Sequence, residues 1–160
     1  LQVFQNNPDL YFESLSEGIW IPILPIDCID YDIMVGSDEI AQGNWENVFA
    51  YDGFNLDVED GEIWIGSIGS FANFKVSEFK KAASDRLSYQ TLDGETLNKG
   101  FRITLEKGKY RVSISGHKLH TNDDKTIYGY GFDFQKTAEF TGYNDPREDE
   151  KYTFNLPLYP

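Results

Sequence analysis

Hydrophobic and polar positions alternate along much of this chain with a period of two, the spacing of a strand that buries one face. Phe54, Leu56 and Val58 are apolar around Asn55 and Asp57. Phe101, Ile103 and Leu105 repeat the pattern, and Tyr110, Val112 and Ile114 resume it after Lys107-Gly108. Tyr128, Tyr130, Phe132 and Phe134 form a fourth run. Residues 18–26 and 29–35 read as early strands, and 152–156 as a closing strand. Asp52-Gly53, set between 47–51 and 54–58, is a two-residue hairpin signal. Asp60-Gly61 is a second tight connection, leading into a strand over 62–66. Lys107-Gly108 predicts a third hairpin, joining 101–105 to 110–114. Helical spacing occurs once, at Phe79, Ala82, Ala83 and Leu87 within 76–87, a short helix or a loop.

Many short antiparallel strands with tight turns predict an all-β fold, an antiparallel β-sandwich with at most one short helix. A barrel is the structural alternative. The 160 residues suit one domain, 1–160. A chain of this length buries enough surface to fold without disulfides or metal. The 12 Phe, 10 Tyr and 3 Trp supply strand-forming core material. The single cysteine, Cys28, rules out an intrachain disulfide and suits a cytoplasmic location. It sits in an apolar run and reads as a small buried hydrophobe. The longest apolar run, 19–26, is too short for a membrane helix and is broken by Pro22 and Pro25. The first residues, Leu1-Gln2-Val3-Phe4, lack an initiator Met and a basic signal region, so a trimmed start or a removed signal peptide stays open.

Charge changes the picture most. The net formal charge is −13, and residues 1–74 contain no Lys or Arg against 14 acids. From Lys75 onward 14 bases face 13 acids. Such one-sided charge costs stability by self-repulsion. It is the footprint of a docking face for a cationic partner, because complementary potentials speed association and reject wrong partners. Nucleic acid is a poor partner, since phosphate binding needs clustered Lys and Arg. An anionic membrane surface is disfavoured for the same reason. A basic protein fits best.

Candidate catalytic chemistry is sparse. His117 and His120 are the only histidines, and three residues apart in a strand they point to opposite faces, away from a shared metal. In loops they would be exposed. Asp57, Glu59, Asp60 and Glu62 crowd around Gly61, but Asp is common at turns for conformational reasons and the spacing is not that of an EF-hand. No metal site or cofactor is expected. There is no nucleophile elbow, phosphate-binding glycine loop or zinc-protease motif. Tyr128-Gly129-Tyr130-Gly131 reads as a strand that needs close backbone approach. Trp20, Trp45 and Trp64 would serve packing or, in a carbohydrate-binding module, a sugar platform.

The run 101–116, FRITLEKGKYRVSISG, resembles the late hairpin of competence-type nuclease inhibitors, and 53–58 with 63–66 resembles their central strand pair. That resemblance implies a small acidic protein that caps a nuclease. It carries over no functional residue, and 1–17 has no counterpart in it. The expectation is an immunity or inhibitor protein, not an enzyme, that neutralises a basic protein toxin, a nuclease in the first instance. Its contact residues would be Asp27, Asp30, Asp32, Glu46, Asp52, Asp57, Glu59, Asp60 and Glu62, with Trp45 and Tyr51 as buried anchors. The first three acids join the others only if their strands are neighbours. The alternative expectation is a carbohydrate- or calcium-binding β-sandwich module.

Overall fold

The alternating segments do form strands, in a computed structural model that describes residues 4, 6–41, 43–67, 79 and 84–160. The strands among the described residues are β1 (Tyr31–Val35), β2 (Glu46–Val58), β3 (Glu62–Gly66), β4 (Arg86–Gln90), β5 (Thr96–Thr104), β6 (Gly108–His120) and β7 (Thr126–Thr137). Helices α1 (Pro8–Ser16) and α2 (Ser37–Ala41), also among the described residues, precede and follow β1. The strands lie in two open sheets ordered β1-β7-β6-β2 and β3-β5-β4. The fold is therefore all-β, of the sandwich-like class, with no closed barrel among the described residues. Strands β3 and β5, β4 and β5, and β6 and β7 pair antiparallel, whereas β1 pairs parallel with β7. No helix among the described residues is long and apolar enough to cross a membrane.

The backbone divides into two compact units. Unit 1 comprises Leu1–Asp57 and Gly108–Pro160 and holds the four-stranded sheet. Unit 2 is Val58–Lys107 and holds the three-stranded one.

In unit 1 the central strand β6 buries Tyr110, Val112, Ile114 and Gly116 on one face. Their partners on β7 continue that face through Tyr130, Phe132 and Phe134. Phe154 and Leu156, 2% and 0% exposed, complete the same core from the end of the chain. Residues 152–155 are not a strand, contrary to expectation, and 156–158 form a 3-10 turn. The aromatic rings hold this segment instead: Phe154 lies edge-on to Phe49, and the Tyr130 hydroxyl donates to the Phe154 carbonyl at 2.7 Å. Gly116 has to be glycine, because a Cβ there would stand 2.2 Å from the Phe49 ring and 2.6 Å from Leu156.

Three further expectations fail for identifiable reasons. Asp52-Gly53 is not a hairpin turn, since β2 runs unbroken for 13 residues. The burial phase slips there from Phe49 to Phe54 and Val58, and Gly53 has φ +84, as at a β-bulge with its one extra residue. Likewise β5 and β6 do not pair across Lys107-Gly108, because β5 lies between β3 and β4 while β6 lies between β7 and β2. The chain there crosses from unit 2 back to unit 1. Residues 18–26 contain no strand. The helix expected over 76–87 lies largely outside the described residues, although Phe79 is helical and buried and Leu87 belongs to β4.

Helix α1 was missed, although its signals are local. Pro8 stands at the first turn, Asp9 follows, and Gly18 ends it at φ +75. Gly18 and Ile19 donate back to the Leu15 and Ser14 carbonyls at 3.2 and 2.9 Å, a Schellman cap. A Cβ at Gly18 would also meet the Asp57 backbone nitrogen at 2.8 Å, so the cap fixes where the helix docks on β2.

Candidate protein-binding surface

Strand β1 is an edge of the unit 1 sheet, paired on one side only, with β7. It positions the first group of predicted contact residues. Asp27 and Asp30 lie in the exposed segment leading into β1, and Asp32 lies within it, also exposed. The Asp27 carboxylate accepts from Asn155 Nδ2 at 3.1 Å, and its N–H donates to Asn155 Oδ1 at 3.0 Å. No cation among the described residues is within ion-pairing distance of Asp27, Asp30 or Asp32. Ile29 stands among them, 43% exposed, and Cys28 is exposed as well. The buried role expected for Cys28 is thus not realised, because its apolar run crosses the surface as irregular chain instead of entering a strand.

Trp45 lies on the sheet face of Asp32. In register, Gly129 of β7 lies between Asp32 of β1 and His117 of β6, so the three share one face of the sheet. Trp45 covers the gap that Gly129 leaves: a Cβ there would sit 3.3 Å from the indole and 2.9 Å from Met34 Cε. The close approach read from the Tyr-Gly-Tyr-Gly run is therefore real at Gly129. The half-buried indole extends to His117, ring centroids 6.5 Å apart.

His117 is 3% exposed, not a loop histidine. Its Nε2 is 2.8 Å from Ser115 Oγ, and Nδ1 is buried without a hydrogen-bond partner. Burial lowers its pKa below the ordinary histidine value. His120 lies three residues on, on the other face and exposed.

The second group of predicted acids is not beside the first. Strands β1 and β2 are opposite edges of the sheet, separated by β7 and β6. Three inter-strand steps put them about 14 Å apart, so the condition for a joint patch in unit 1 is not met. On β2, Glu46 lies 3.9 Å from His120 and Asp57 lies 3.6 Å from Lys109. Asp52 is exposed, and its carbonyl accepts from Asn144. Tyr51 is occupied internally, stacked on Phe49 at 4.8 Å and hydrogen-bonded to the Tyr159 hydroxyl at 2.9 Å. Glu59, Asp60 and Glu62 belong to unit 2 and are exposed, with Glu62 3.7 Å from Arg102. The described residues contain no group of three or more His, Cys, Asp or Glu that could hold a metal ion.

Charge is distributed by unit more than by halves of the sequence. Unit 1 contains 19 acids and seven bases, net −12, and unit 2 eight acids and seven bases, net −1. Several unit 1 cations are spent internally. Lys118 is 6% exposed, and its Nζ donates to the main-chain oxygens of Tyr159 and Pro160 at 2.7 and 3.0 Å. Arg111 donates to Asn55 Oδ1 and to the Gly142 carbonyl. Lys109 sits over the Phe140 ring, 4.6 Å from its centroid. Sequence reasoning also missed an open apolar groove of about 310 Å³ beside α1, lined by Phe4, Leu10, Ile19 and Trp20 with Glu13 and Glu17. Trp20 is held there by a 2.8 Å bond from Nε1 to Ser14 Oγ. Trp64 packs edge-on to Phe79 in unit 2, so each tryptophan has its own packing role.

No protein-family model, no curated protein and no solved structure matches this chain.

Proposed function

We infer that this protein acts by binding, as an immunity or inhibitor protein that neutralises a basic protein toxin, a nuclease being the class best suited. One observation carries the reading: Asp32 on the edge strand β1, with Asp27 and Asp30 just before it, stands exposed with no cation in ion-pairing distance among the described residues, in a unit with net charge −12. Concentrated, unneutralised carboxylates cost stability unless something else meets them. A nuclease active site presents Lys, Arg and His to phosphate, and carboxylates on a protein edge compete for the same groups through charge-assisted hydrogen bonds. Trp45, half-buried on the same sheet face as Asp32, supplies an aromatic anchor on that face. Such a protein works where the toxin would act, in the cytoplasm.

The test is a calorimetric titration against the basic protein encoded beside this gene, at low and high salt. The expected result is 1:1 binding that weakens with salt and that Asp30→Lys with Asp32→Lys abolishes. Absence of binding at low salt overturns the reading. Binding that ignores both reversals moves the interface elsewhere.

A further inference from the structure

Four strands are sheet edges, and they differ in charge. On β1, β2 and β3 every charged residue is acidic: Asp32; Glu46, Asp52 and Asp57; and Glu62. Strand β4 alone carries a cation and no acid, in the sequence Arg86-Leu87-Ser88-Tyr89-Gln90. It also belongs to the unit whose net charge is only −1. A second copy of this chain would be repelled at the acidic edges of unit 1 but not here. Charged side chains on an edge guard against strand addition, and β4 carries one, Arg86, where each of the other edges carries only acids.

Among the described residues the backbone of β4 is paired on one side only, with β5. Thr91 donates its N–H to the Glu95 carbonyl inside the β4–β5 turn at 2.9 Å. The register shift between Leu87 and Ser88 puts its extra residue, Lys99, on β5, and at the start of β4 Arg102 donates its N–H to the Asp85 carbonyl at 2.8 Å, so alternation along β4 turns the N–H and C=O of Ser88 and Gln90 outward. Tyr89 and Leu92 are exposed beside this edge, at 45% and 110%. The exposure of Leu92 is not required by its turn. Residues 91–95 and 121–125 are built alike, each with a Thr N–H bonded to the carbonyl four residues on and its hydroxyl on the same carbonyl. The second turn has Asn122 where the first has Leu92.

We propose that β4 is a homodimerisation edge, pairing antiparallel with β4 of a second copy about a two-fold axis at Ser88, so that two three-stranded sheets become one of six strands. In that register Ser88 faces Ser88, Leu87 faces Tyr89 and Arg86 faces Gln90. No like charges meet, an apolar residue meets an aromatic one, and the outward-facing groups are those that must bond. The same register brings Leu92 beside the start of β4 in the second copy, which accounts for an exposed leucine on an ordered tip.

Because the axis passes through Ser88, a charge placed there meets its own copy. Ser88 is exposed, so Ser88→Asp and Ser88→Lys leave the fold intact, which circular dichroism verifies. By sedimentation velocity at about 100 μM the native chain should be a dimer. Each variant alone should weaken the dimer roughly fivefold or more, since like charges then face each other. An equimolar mixture of the two should restore it. A native chain that stays monomeric overturns the proposal, as do variants that still dimerise or a mixture that fails to recover. None of these outcomes depends on the basic partner, so the two readings stand or fall separately.

Discussion

The two units divide opposite tasks. Among the described residues unit 1 holds most of the buried apolar side chains, including Phe49, Phe54, Val112, Ile114, Tyr130, Phe154 and Leu156, and it carries nearly all the net charge. Unit 2 contributes only Val58 and Phe79 to the buried set among the described residues and is close to neutral. Self-repulsion is tolerable where a dense aromatic core opposes it, as in unit 1. Unit 2 has little net charge to bear and carries an edge strand without acids.

The comparison breaks most directly at the unit 1 core. Phe154→Ala should lower unfolding stability by about 3–5 kcal/mol in chemical denaturation, the cost of a large ring removed from close packing. A loss below about 1 kcal/mol would mean that the 152–158 segment is not the core element that its burial implies.

A smaller effect is expected at His117. Burial depresses its pKa in the folded chain, so the unfolded chain binds the proton more readily. Its contribution to stability is complete above the unfolded value near 6.5 and is lost as pH falls from there through the folded value. Denaturant midpoints between pH 7.5 and 5 should fall more steeply for the native chain than for His117→Gln. Parallel curves would show that the orphaned Nδ1 is reached by solvent.

The smallest change sharpens the charge contrast. Asp30→Asn with Asp32→Asn should raise stability by no more than about 0.5 kcal/mol at low salt, with the gain vanishing in high salt as screening replaces the mutation. A loss of stability would indicate that these carboxylates have structural partners.

Much of the architecture was legible in local pattern. Alternation located β5, β6 and β7, and on β6 and β7, where one face packs against apolar neighbours, it predicted the buried set Tyr110, Val112, Ile114 and Tyr130. Strand partners were not legible. A glycine after an aspartate signals positive φ but not its use, and at Gly53 the chain uses it to bulge a continuous strand. Of the candidate site, Trp45 and Asp32 lie on one sheet face, with Asp30 and Asp27 in the segment leading into that strand, while Tyr51 is consumed by its neighbours and the β2 acids lie on the far edge. Only Pro8, Asp9 and Gly18 could have announced α1, and they did so without an apolar stripe strong enough to be noticed.

The sequence by itself determined that the chain is all-β, which residues alternate inward, and that its first 74 residues carry no cation. These are properties of single residues and close neighbours, set by side-chain chemistry and the two-residue strand period. Tertiary structure alone decided which strands pair, which acids lie on one edge and which cations are spent inside. Those outcomes depend on contacts between residues distant in sequence, where register and packing, not local preference, select the partner.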